Sequence, residues 1–163
     1  MDELIDYSEV AAVLADLAKD IEQGYKDTLL QDRHYTTLGS EQRLIDSVKT
    51  RVEVGEHSYE VAMDLNSYWK YLENGTAPHW PPREAILNWV QIKPIIPTPD
   101  ANGRIPSEKS LAFLISRAIS RHGTKASHGL QRTKDSIIPM YAERLSAALG
   151  HDVERYIRKV MPH

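Results

Sequence analysis

The sequence contains no cysteine. Disulfides, thiolate zinc sites and a cysteine nucleophile are therefore excluded, which agrees with a chain made in a reducing cytoplasm. Long apolar runs are missing too. None approaches the ~18 residues of a membrane span. The first charged residues, Asp2, Glu3 and Asp6, have the wrong sign for a secretory leader. The expectation is a soluble protein, with no membrane partner, acting inside the cell or in a particle built there.

The motifs of common chemistries are also lacking. There is no phosphate loop, dinucleotide fingerprint or nucleophile elbow. Seven histidines are present, and no two are spaced four apart as in a metalloprotease helix. His122 and His128 flank Gly123 and Gly129 and read as solvated loop histidines before they read as a metal site. Asp100-Ala101-Asn102-Gly103 lacks the later glutamate of a calcium loop and reads as a turn. Glu73 could act as a general base, but no acid partner or anion-stabilising pair stands at a recognisable spacing. No catalytic residue, cofactor or metal is expected, and the chain is not expected to be an enzyme.

What is present is a chain of 163 residues, 41% apolar and 26% charged. That is enough for one folded domain over 1–163 without a metal or staple. Its net charge of −3 is unevenly spread: Met1 to Gly75 carry 16 acidic and 7 basic side chains, Thr76 to His163 carry 7 and 13. Three readings follow. The halves neutralise each other within one fold, unlike faces of neighbouring copies meet head to tail and close into a ring, or the basic half binds nucleic acid. The last is the weakest, because the Arg and Lys are scattered along helices and not clustered with aromatics.

Hydrophobic spacing predicts an α+β fold. Val10, Val13, Leu14, Leu17, Ile21, Tyr25 and Leu29 mark a long helix over about Ser8 to Leu30, with Asp6, Ser8 and Glu9 as cap candidates. After a polar break from Asp32, Ser40 can cap a short helix carrying Leu44, Ile45 and Val48. The period then changes to two. Val48, Thr50, Val52 and Val54, then Tyr59, Val61, Met63 and Leu65, describe an antiparallel hairpin over about 48–65 with one apolar face. The long first helix is the candidate to cover that face.

An aromatic loop, Asn66 to Pro82, leads to a helix ending near Ile92 with Ile86, Trp89 and Val90 inward. Residues 93–106 hold Pro94, Pro97, Pro99 and Pro106 and read as an extended excursion. Ser107 then caps a helix with Leu111, Leu114, Ile115, Ala118 and Ile119 on its stripe, closed by Gly123 as a left-handed cap. A last helix is expected over about Asp135 to Val160. Its stripe is Ile138, Tyr141, Leu145, Leu149, Val153, Tyr156, Ile157 and Val160, with Pro139 in its first turn. The excursion is either a stiffened arm that grips a neighbour or a plain surface loop. The aromatics either bolt the hairpin to the next helix or stand exposed as anchors for a partner, the role Trp and Tyr fill best.

The run Tyr68-Trp69-Lys70-Tyr71-Leu72-Glu73-Asn74-Gly75-Thr76 resembles the Tyr-x-x-Tyr-Leu-Glu-x-Gly-Thr signature of phage tail-completion proteins, the small neck or minor tail proteins of long-tailed phages. Pro81-Pro82 with the helix to Val90, the run Gly39 to Val48, and Leu111 to Ile119 ending in Gly123-Thr124 resemble the flanking pattern of the same family. The resemblance spans about Gly39 to Thr124. It implies helices packed on a small antiparallel sheet and a structural role in the virion's tail or neck, completing the tail or joining it to the head. The implied partners are other tail or neck proteins and further copies in a ring, assembled in the host cytoplasm. Tyr68, Trp69, Tyr71, Glu73, Gly75, Thr76 and Trp80 are the interface candidates. DNA binding through the basic C-terminal helices is the alternative.

Overall fold

The computed structural model describes residues 5–32, 44–55, 58–92, 95, 97–99 and 101–161. The polar break after Asp32, the Ser40 cap, most of the Gly39 to Leu44 run, and Glu56, His57, Pro94 and Asp100 lie outside them. The chain divides into two compact units.

The first unit comprises Met1–Thr28, Val48–Leu65 and Leu130–His163. It holds most of the helix α1 (Ser8–Gln31), the strands β1 (Lys49–Val54) and β2 (Tyr59–Asp64), and the helix α6 (Gly129–Val160). β1 and β2 pair antiparallel, Val52 opposite Val61 and Thr50 opposite Met63, so the expected parity of the hairpin holds. Alternation puts Thr50, Val52, Val61 and Met63 on one face. α1 covers that face: Leu17 and Ile21 are buried together with Tyr141 of α6, and Val61, Met63, Ile137 and Leu145 pack against them. Polar bonds add register to this contact. The Thr50 hydroxyl donates to the Ala18 carbonyl at 2.9 Å, and the Thr50 amide donates to Glu22 at 2.8 Å. This is an α+β arrangement.

α1 and α6 run antiparallel, since their partners pair in opposite order. Arg155 meets Glu9 at 2.5 Å, Arg144 meets Asp16 at 2.8 Å, the Tyr141 hydroxyl donates to Asp20, and Thr28 and Thr133 share a hydroxyl bond at 3.0 Å. Acids of the N-terminal half thus meet bases of the C-terminal half inside one unit. Gly24 leaves room for α6: a Cβ there would come within 2.7 Å of Ile137 Cδ1.

α6 differs from expectation in three ways. It starts at Gly129 and not near Asp135, which places Pro139 inside the helix instead of its first turn. Its buried side follows Thr133, Ile137, Tyr141, Leu145, Ala148 and Asp152, while Ile138, Leu149, Ile157 and Val160 are about half exposed. The inward line joins Ile137, Tyr141 and Leu145 to Thr133, Ala148 and Asp152, small or polar residues that hydrophobicity alone does not mark. The N-terminus of α1 is also capped differently. Its Glu9 and Val10 amides donate to the Asp152 carboxylate at 3.3 and 3.0 Å, and Ser8 accepts a bond from Arg155.

The second unit comprises Leu29–Ser47 and Asn66–Gly129. It contains the helices α2 (Leu44–Ser47), α3 (Trp69–Asn74), α4 (Arg83–Ile92) and α5 (Glu108–His122). α4 and α5 pack together. Ala112 and Ser116 are the buried residues of α5, whereas Leu114 and Ala118, expected inward, face out. Small residues one turn apart allow a close helix approach, which outweighs the larger side chains in setting the inward face. Ser107 caps α5 by accepting from the Ser110 amide at 3.3 Å, as its place before the helix predicts. The described residues of the 93–106 excursion form no helix or strand, with a turn at Ala101–Gly103.

Candidate functional site

The run read as an aromatic loop contains a helix. α3 occupies Trp69–Asn74, begun by turns from Asn66 to Trp69 and from Tyr68 to Tyr71. With under two turns it is too short to show helical periodicity, but it lacks proline and glycine up to Gly75, so nothing stops it from winding.

The helix ends on the motif's glycine, and there the two Gly-Thr steps of the sequence meet. Gly75 closes α3 at φ 67°, ψ −168°, and Gly123 closes α5 at φ 68°, ψ −161°. Both angles fall in a region that is essentially glycine's alone, and not in the left-handed helical region expected of Gly123. Thr76 and Thr124 form an isolated antiparallel bridge, with amide-to-carbonyl bonds of 3.1 and 3.2 Å and a hydroxyl pair at 3.0 Å. The glycines are required twice over. A Cβ on Gly75 would strike the Thr124 carbonyl oxygen, and one on Gly123 would strike that of Thr76. The clasp continues along the chain: the Ser127 amide donates to the Leu72 carbonyl at 2.8 Å and the His128 amide to the Glu73 carbonyl at 3.2 Å.

This clasp underlies an open groove of about 980 Å3. Tyr68, Tyr71, Leu72, Pro78, Pro81 and Trp89 contribute to its lining, with Ile115 and Ile119 from α5. The sequence-expected residues are divided by it. Tyr71 is 64% exposed and Trp80 62% exposed. Tyr68 and Trp69 are part-buried, Gly75 and Thr76 belong to the clasp, and Glu73 is buried. The aromatics thus divide into part-buried Tyr68 and Trp69 and exposed Tyr71 and Trp80. Sequence reasoning missed Phe113, half exposed with its ring 6.4 Å from that of Trp80, and Leu114, which it placed in the core. The available signal was the Gly-Thr pair, each step following a helix.

The groove is dominated by carbon. His79 and Lys125 reach its edge, but among the described residues no group of three or more His, Asp or Glu could hold a metal ion. Among the same residues no helix is long and apolar enough to cross a membrane. The arrangement offers apolar contact area on a hydrogen-bonded frame. Comparison with protein-family models, with characterised proteins and with solved structures finds no match to this chain.

Proposed function

We propose that the chain is a structural component of a tailed phage or prophage particle, completing the tail or joining it to the head by assembling with other tail or neck proteins. The observation that carries this reading is the exposure of Tyr71 and Trp80 beside an apolar groove built on the signature's own Gly-Thr clasp. Large exposed apolar surface on a soluble protein marks an interaction site, and Tyr and Trp are the side chains that most often anchor one. The resemblance of the Tyr68 to Thr76 run to the tail-completion signature supplies the kind of partner.

Nucleic-acid binding through the C-terminal helices draws less support. Arg144, Arg155 and Arg158 of α6 are paired with Asp16, Glu9 and Glu154, so their charge is already answered within the first unit.

The test is cryo-electron microscopy of particles made from the surrounding gene cluster, with the chain as encoded and with Tyr71→Ala and Trp80→Ala. Density for the chain at the neck or tail end, reduced in the variants, is the expected result. Complete particles that lack the chain overturn the reading.

A further inference from the structure

A second hollow, of about 720 Å3, lies in the same unit between the Trp80 to Arg83 stretch and α5. Its wall is apolar: Trp80, Phe113 and Leu114 are all half exposed or more. Arg83 and Lys109 border it, no carboxylate lines it, and neither cation has an anionic partner among the described residues. Ser116 also lines it. Its hydroxyl is buried, in a residue only 5% exposed, and has no hydrogen-bond partner among the described residues. The hollow therefore combines unmatched charge with uncovered apolar surface.

The hairpin of the first unit has the opposite features. Glu53 and Glu60 stand directly opposite each other on its outward face, an unfavourable placement for like charges. Arg51 answers Glu53 at 2.6 Å and also bonds Asp64, which leaves Glu60 with no cation among the described residues. Val54, on the opposite face of the same strand end, is 66% exposed. From residue 53 to residue 60 the sequence has three glutamates and no Lys or Arg. The imbalance extends to the units themselves, the first with 16 acidic and 10 basic side chains and the second with 7 and 10.

Resting on the assembly role proposed above, we infer that the Trp80–Phe113 hollow receives the hairpin end of a second copy of this chain. Val54 of one copy covers Trp80 and Phe113 of the next, and Glu53 and Glu60 meet Arg83 and Lys109. The two surfaces differ, so the contact is heterologous and repeats from copy to copy. The Tyr71 groove stays outside it and open to a different protein.

The absence of cysteine makes the test clean. Two full-length single-cysteine variants, Val54→Cys and Phe113→Cys, are mixed and oxidised. A mixed disulfide dimer exceeding either symmetric dimer is expected. In sedimentation, Arg83→Glu with Lys109→Glu weakens self-association about tenfold or more. Adding a chain with Glu53→Lys and Glu60→Lys restores association to that variant. No mixed product, or symmetric products alone, overturns the inference, as does self-association indifferent to both charge reversals. Particles that contain the chain while the mixed disulfide fails remove this contact and leave the structural role standing. A mixed disulfide alongside particles that lack the chain does the reverse.

Discussion

Asp152 joins positions 142 and 143 residues apart in the chain. Its carboxylate, buried, accepts from the amides of Glu9 and Val10 and lies 3.3 Å from Arg155. It serves as the cap that Asp6 and Ser8 were expected to provide. Asp152→Ala leaves two amides and the first turn of α1 without their acceptor, and the expected loss is about 1–3 kcal/mol. Urea unfolding measures it, and an unchanged midpoint shows that Ser8 or water caps α1 equally well. Gly75 and Gly123 present the harsher case. Alanine at either position meets a backbone oxygen in a region of φ and ψ closed to it, so a loss of more than about 3 kcal/mol is expected from each. Because the two share one clasp, the double variant costs less than the sum of the singles. These requirements were half legible. A glycine after a helix announces a turn, but that two such glycines face each other depends on a pairing 48 residues apart, and nothing local encodes it.

At the scale of the element, the hairpin and α1 were legible because each has an unbroken period and a face with nowhere else to go. α5 and α6 were legible in part. Tyr141 and Leu145 of the α6 stripe pack in the core and Leu111, Ile115 and Ile119 of the α5 stripe are part-buried, whereas the small or polar inward residues Ala112, Ser116, Thr133, Ala148 and Asp152 carry no apolar signal strong enough to mark them. The α1–hairpin contact has a pH signature. The Glu22 carboxyl is held below its ordinary range by its bond to Lys26, and by those to the Thr50 amide and hydroxyl, against the opposing effect of burial. A depressed carboxyl contributes stability above its unfolded pKa and loses it as pH falls through the folded value. Unfolding midpoints should therefore drop as pH falls below the usual glutamate range, and Glu22→Gln should flatten part of that drop. The same slope in both proteins would assign it to other carboxylates. Pro139 offers a change of opposite sign. Inside α6 it withholds the amide that would bond the Asp135 carbonyl. Pro139→Ala restores that bond and is expected to raise stability by about 1–3 kcal/mol, read as a higher melting temperature. A lower one would mean that the helix is shaped around the proline.

At the scale of the whole molecule, the charge asymmetry of the sequence resolves into two parts. One is internal, where Asp16 and Glu9 of α1 meet Arg144 and Arg155 of α6. The other is not answered among the described residues, with Glu60 on one unit and Arg83 and Lys109 on the other. The surfaces proposed for association lie outside the α1–α6 ladder, and so does the excursion at 93–106. Its described residues make no helix or strand, and Ile105 at its end is largely exposed. Shortening it between Thr98 and Arg104 removes exposed chain and little packing, so the unfolding free energy should stay within about 0.5 kcal/mol. Four prolines limit the segment's freedom before any contact forms, so a partner that holds it loses little entropy in doing so. If it grips a neighbour in the particle, the shortened chain folds normally and complete particles disappear. Normal particles from the shortened chain would reduce the segment to a connection between α4 and α5 and leave the aromatic surfaces to hold the assembly alone.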